Sequence, residues 1–213
     1  MYLSRVELDP TRRSTMMALA APQKIHGAVE SAFPGARRRR LWRLDQLGGK
    51  LYLLVLSEDV PELSGAVEQF GTGAAPETRC YDPLLERITP ESCWQFRLTA
   101  NPTKSCKNLV DPQARGTVLA HCTTQYQKKW LLDRAAKHGF ALTEDSFTVI
   151  RVQWQHFAKH GTRSVSLLSV TYEGILQVTD TEAFRAVLCQ GMGRGKAYGQ
   201  GLLTVMHGGR NHG

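Results

Sequence analysis

Residues 180–206 read Asp180-Thr181-Glu182-Ala183-Phe184-Arg185-Ala186-Val187-Leu188-Cys189-Gln190, then Gly191-Met192-Gly193-Arg194-Gly195-Lys196-Ala197-Tyr198-Gly199-Gln200-Gly201, then Leu202-Leu203-Thr204-Val205-Met206. The first part has the pattern of an amphipathic helix capped by Asp180, and the last that of an apolar strand. Nucleotide-binding glycine loops run the other way, from a strand into a helix. Their spacings fail as well. A Walker loop ending at Gly195-Lys196 needs glycine at Gln190 and a hydroxyl at Ala197, and a dinucleotide fingerprint starting at Gly191 needs glycine at Lys196. The stretch therefore closes a helix-to-strand crossover. A glycine C-cap and a tight turn account for one or two of its glycines, and the remainder are interleaved with Arg194 and Lys196. Open backbone beside two cations and the stacking face of Tyr198 suits a polyanion that carries bases, with Gly193, Arg194, Gly195 and Lys196 as candidate contacts.

Outward from this loop, local patterns give an order of elements. Tyr2 to Leu8 alternates and stops at Asp9-Pro10, as a half-buried strand does. Pro22 to Phe33 carries Ile25, Val29 and Phe33 on one helical stripe and ends at Pro34-Gly35. Strands over Arg39–Leu44 and Leu51–Leu56 flank a turn at Gly48-Gly49. A short helix over Pro61–Phe70, an irregular stretch to about Glu91 and a strand over Trp94–Ala100 complete a strand-helix-strand-strand-helix-strand series. The second half repeats that order. A polar insertion (Asn101–Cys122) leads to a helix over about Thr124–His138, two long strands near Phe147–Phe157 and Ser164–Val178, the Asp180 helix and the Leu202 strand. The expected fold is α+β, two tandem ferredoxin-like (RRM-like) domains with antiparallel sheets, over residues 1–91 and 92–213.

A chain of 213 residues has room for that arrangement. Its 27 basic and 19 acidic side chains leave a formal charge of +8, and residues 91–213, with 15 basic and 8 acidic groups, hold +7 of it. Such an excess favours nucleic acid or a membrane surface as partner, or is solvated decoration. Cys80, Cys93, Cys106, Cys122 and Cys189 are odd in number and contain no Cys-x-x-Cys pair, which fits reduced thiols in a cytoplasmic protein. Neither a signal peptide nor an 18-residue apolar run is visible, so no membrane association is expected.

Four groups of residues carry possible chemistry. His26 lies near the start of its helix, close after Lys24. It is either a surface or packing residue or a proton-exchanging group placed where a helix end attracts anions. RNA offers such a group a reaction: the 2′-hydroxyl attacks the neighbouring phosphate once a base removes its proton, while an acid protonates the leaving 5′-oxygen, without a metal. Arg37 to Arg40 and Arg43 lead into the second strand. On a strand Arg38 and Arg40 would share a face with Trp42, opposite Arg39, and the cluster either holds phosphates or forms a solvated turn. Lys104 and Lys107 follow Asn101-Pro102, where a cation serves as a phosphate clamp or blunts a strand end. The hairpin from Arg151 to Arg163 gathers basic residues, Lys159 among them, at its tip and can enter a groove of duplex RNA or track its backbone. His156 and His160 lack a nearby cysteine or carboxylate, which argues against a metal.

Together, Met1-Tyr2-Leu3-Ser4-Arg5-Val6, His26, Phe96-Arg97-Leu98-Thr99-Ala100-Asn101-Pro102-x-Lys104 and Gly191-x-Gly193-x-Gly195-Lys196-Ala197-x-Gly199-x-Gly201-Leu202-Leu203 resemble the CasE family. Its members are CRISPR repeat-RNA endoribonucleases of the type I-E Cascade complex, and the likeness runs along the whole chain. The resemblance implies a metal- and cofactor-independent nuclease that binds the repeat stem-loop, cuts at the 3′ base of the stem and stays on the hairpin as a Cascade subunit, turning over once. It implies His26 as catalytic acid or base, stem contacts from the 151–163 hairpin, and a glycine loop that lies against RNA or braces the sheet beneath it. Some relatives have tyrosine three residues before the histidine. Gln23 stands there in this chain, leaving Lys24 or an arginine to stabilise charge. The competing classes are a non-catalytic RNA-hairpin-binding module, which would tolerate loss of His26, and a protein-binding Cascade subunit, which would not need the basic hairpin.

Overall fold

The computed structural model describes residues 1–35, 38, 40–107, 116–158 and 164–207. Its first half contains β1 (Tyr2–Leu8), α1 (Arg13–Ala20), α2 (Pro22–Ser31), β2 (Leu41–Leu47), β3 (Lys50–Ser57), α3 (Ser64–Phe70) and β4 (Glu77–Cys80). The strands lie in the order β2-β3-β1-β4, all antiparallel. That is the 4-1-3-2 order of a ferredoxin-like sheet. A two-residue Gly48-Gly49 loop joins β2 to β3, both glycines at positive φ (57° and 80°), as the tight turn between twisted strands demands.

After α4 (Asp82–Glu86) the second half begins with β5 (Cys93–Ala100), the hairpin strands β6 (Thr103–Cys106) and β7 (Thr117–Ala120), and α5 (Thr124–Ala135). It continues through β8 (Phe140–Ala141), β9 (Phe147–Ala158), β10 (Ser164–Val178), α6 (Thr181–Gln190) and β11 (Leu203–His207). The order β11-β5-β10 is completed by β9 and β8, which pair with successive parts of β10, so the 4-1-3-2 pattern recurs. Asp180 caps α6 as its sequence predicts, its carboxylate accepting the Ala183 N–H at 3.0 Å.

Several sequence expectations are corrected. The strand that closes the first sheet is β4, within the stretch read as irregular, whereas the Trp94 strand is the central β5 of the second sheet. At four residues, all exposed, β4 has no apolar alternation to reveal it. Helix α1 was equally silent: it buries only Thr15 and Ala18 and leaves Met16 and Met17 exposed. The insertion after β5 contains the β6–β7 hairpin. Finally, β2 starts at Leu41, so Arg38 and Arg40 precede the strand and the alternation drawn through them does not apply.

Strand β3 explains how the halves join. Its run Leu53-Leu54-Val55-Leu56 is buried on both faces. Leu53 and Val55 pack with Val6, Ile25, Val29 and Phe70 beneath the first half's helices. Leu54 and Leu56 join Leu41 and, across the interface, Phe96, Leu98 and Leu203. Within this apolar seam Arg43, 2% exposed, makes two bonds to the Asp45 carboxylate at 2.6 and 2.8 Å. It also donates to the second half: to the carbonyls of Arg97 (2.9 Å) and Leu202 (2.7 Å) and to the Thr204 hydroxyl (2.7 Å). A charge buried this deeply is tolerable only when its donors are satisfied. Among the described residues no helix is long and apolar enough to cross a membrane.

Candidate RNA-processing site

Helix α2 opens with Pro22 at its first position, where a missing N–H costs nothing. Ile25, Ala28 and Val29 form its buried stripe, and the same 3.6-residue period leaves His26 half-buried and Lys24 and Gly27 exposed. Lys24 and Gly27 border an open groove of about 540 Å3 between α1 and α2, with Phe70 in its wall. Against α2 sits the 3-10 turn Lys196–Tyr198, contributed by the glycine-rich loop of the other half. Helix α2 and the 196–198 turn thus meet only because the two sheets dock.

The loop is built for that docking. Gly201 accepts the Met192 N–H (2.9 Å) and donates its own N–H to the Thr99 carbonyl (2.6 Å), tying the loop to β5. Gly199, at φ +76°, lies so close to β2 that an added Cβ would stand 2.7 Å from Trp42 Cζ3. Gly199→Ala therefore adds both left-handed strain and a clash with a buried indole. The expected loss is about 1–3 kcal/mol, read from urea unfolding. Lys196 donates to the carbonyls of Gln190 (2.6 Å) and Gly191 (3.0 Å), capping the C-terminus of α6. Tyr198 packs on Phe157 of β9, ring centroids 4.8 Å apart. Arg151, exposed, projects from the same face of β9 as Phe157.

The arginines before β2 are engaged internally. Arg40, 5% exposed, pairs with Glu30 at 3.1 Å and lies over the Phe33 ring at 4.1 Å, so its charge holds the end of α2 to the strand. Arg38 is exposed and bonds Glu58 at 3.0 Å. Arg39, Lys159 and Arg163 lie outside the described residues.

Lys104, Gly193 and Arg194 meet in a second cleft of about 500 Å3. Asn101 and Arg194 form an isolated bridge that brings the glycine loop beside β6. His121, Tyr126, Trp130 and Arg134 complete the walls, and sequence reasoning missed all four. His121 stacks on Tyr126, centroids 5.8 Å apart, and Arg134 lies over Trp130 at 4.4 Å. Burial, and then the cations Lys104 and Arg134, hold His121 below the ordinary histidine pKa. The available signal was basic and aromatic side chains interleaved at the insertion's end and along α5. His156 bonds the Ser166 hydroxyl at 2.8 Å and stacks on Trp154.

Two 4-1-3-2 sheets, a histidine-bearing helix in one and a glycine loop of the other laid against it, define a tandem ferredoxin-like protein with its candidate site at the junction. The chain belongs to the family of CRISPR associated proteins, whose model matches residues 1–207. It is 30% identical to the CRISPR-associated endoribonuclease Cse3 of Thermus thermophilus over 218 positions, covering 96% of this chain and 99% of that protein. Thermus thermophilus Cse3 bound to an RNA representing a pre-cleavage complex superposes with a TM-score of 0.76 at 28% identity, covering 96% and 98% of the two chains. The fold is shared with Cas6e from Escherichia coli K-12, TM-score 0.69 at 22% identity, covering 97% and 100%.

Proposed function

We propose that this chain is a metal-independent endoribonuclease that binds the CRISPR repeat stem-loop and cleaves precursor crRNA at the 3′ base of the stem. It then remains on the 3′ hairpin as a subunit of Cascade in the cytoplasm, with residues 1–91 and 92–213 as its two units. The 2′-hydroxyl loses its proton and attacks the adjacent phosphorus. The bond to the 5′-oxygen breaks, that oxygen takes a proton, and the products are a 2′,3′-cyclic phosphate and a 5′-hydroxyl.

His26 exchanges one of these protons, its half-burial fixing the ring while one edge stays within reach of substrate. Exposed Lys24, two residues before His26 on α2, supplies the positive charge for the phosphate that Gln23 does not carry. Arg151 and the hairpin beyond it contact the stem, and Lys104 and Arg194 the strand beside it. Arg40 and Lys196 act indirectly, by holding α2 and the glycine loop. The observation that supports this reading is the seating of α2, the helix that carries His26, against the 196–198 turn of the other half. The relationship to Cse3 along nearly the whole chain supports the same activity.

The test is a labelled repeat hairpin incubated with the protein in EDTA, beside a control whose nucleotide 5′ to the cut is 2′-deoxy. Cleavage of the all-ribose RNA alone, with cyclic phosphate at the new 3′ end, is expected. Cutting of the deoxy control would exclude internal 2′-hydroxyl attack, and a requirement for added metal would exclude the metal-independent mechanism.

A further inference from the structure

We propose that the cleft between β6, α5 and the glycine loop binds one unpaired nucleotide of the RNA, its base stacked on Tyr126 and its phosphate held by Lys104 and Arg194. This rests on RNA being the substrate and adds to it a site for single-stranded sequence, separate from the face that carries His26.

The cleft has the volume of a small-molecule pocket. Tyr126 is 55% exposed, unusual for so large a ring, and His121 supports it by stacking. A base stacked in this way must be unpaired, because bases within a duplex are covered by their neighbours. The charges divide clearly. Lys129 is paired with Asp133 at 2.8 Å, and Arg134 is spent on the Trp130 ring and carbonyl. Lys104 and Arg194 have no carboxylate partner among the described residues and flank the opening. Burial first, and then Lys104 and Arg134, disfavour protonation of His121 in this cleft.

The experiment places 2-aminopurine singly at each unpaired position of a repeat hairpin, in the loop and in both flanks, and measures its fluorescence on binding the full-length protein. One position should be quenched by stacking. Tyr126→Phe should keep the quenching, while Tyr126→Ala should abolish it and weaken affinity about tenfold. Lys104→Ala should weaken the same RNA, and Tyr126→Ala should not affect a hairpin trimmed of the nucleotide concerned. Equal losses on intact and trimmed RNA would mean duplex contact and overturn the proposal, as would quenching at no position. If wild-type protein bound neither RNA, the RNA-processing reading would fall with it, whereas cleavage with normal affinity but no quenching would overturn the nucleotide site alone.

Discussion

His26→Ala is expected to slow single-turnover cleavage of the repeat hairpin by about 10²–10⁴-fold, the contribution of one positioned proton-transfer group, while leaving hairpin affinity nearly unchanged. The separation follows from geometry. His26 is half-buried on α2, and the cations assigned to binding lie elsewhere, Arg151 on β9 and Lys104 and Arg194 around the second cleft. Removing the imidazole removes a proton path and no phosphate contact. Lys24→Met should slow cleavage less, since a neighbouring charge stabilises the transition state without being its only source. Parallel rate and affinity measurements in EDTA check both. Wild-type rates with His26→Ala would remove His26 from the mechanism, and tight binding without cleavage by either protein would make the chain a hairpin-binding subunit. Equal losses in rate and affinity would make His26 a binding residue.

Arg43→Met is expected to destabilise the protein by about 3–5 kcal/mol, the usual result of stripping one partner from a buried ion pair. For a chain of this size that lowers the melting temperature by about 10 °C. The substitution strands Asp45 in the seam, where its next cation is Arg97 at 3.6 Å, and takes a donor from the carbonyls of Arg97 and Leu202, the first keeping the Thr204 hydroxyl at 3.4 Å. The double variant Arg43→Met/Asp45→Leu should recover much of the loss, because the uncompensated charge goes while the apolar seam remains. Urea unfolding of wild type, Arg43→Met, Asp45→Leu and the double variant gives the coupling directly. Arg43→Met as stable as wild type would mean that the apolar seam, Leu41, Leu54 and Leu56 among it, holds the halves without the buried ion pair.

Legibility in the sequence followed the range of the interaction concerned. Asp180 declares the start of α6 because a cap acts within three residues, and Gly48-Gly49 declares its hairpin because the turn needs positive φ at both positions. β4 was invisible because its identity lies in pairing with β1, some seventy residues earlier, and four exposed residues give no pattern of their own. His26 was a candidate from its place near a helix start, and the family resemblance is what raised it above the packing reading. Nothing local distinguishes it from any other half-buried helix histidine. Tyr126 and His121 went unread because each is ordinary alone and becomes part of a cleft only beside Lys104 and Arg194.

By itself the sequence determined the order of most strands and helices, the helix-to-strand sense of the glycine loop and the positive charge of the second half, since periodicity, capping and charge are properties of neighbouring residues. The tertiary structure alone decided which cations face solvent. Arg40 and Arg43 look like members of one basic run, yet one closes on Glu30 and the other is buried with Asp45 at the seam. It alone set the 196–198 turn against the helix of His26. Those outcomes depend on how two sheets pack, and no short stretch of chain encodes the partner it will meet there.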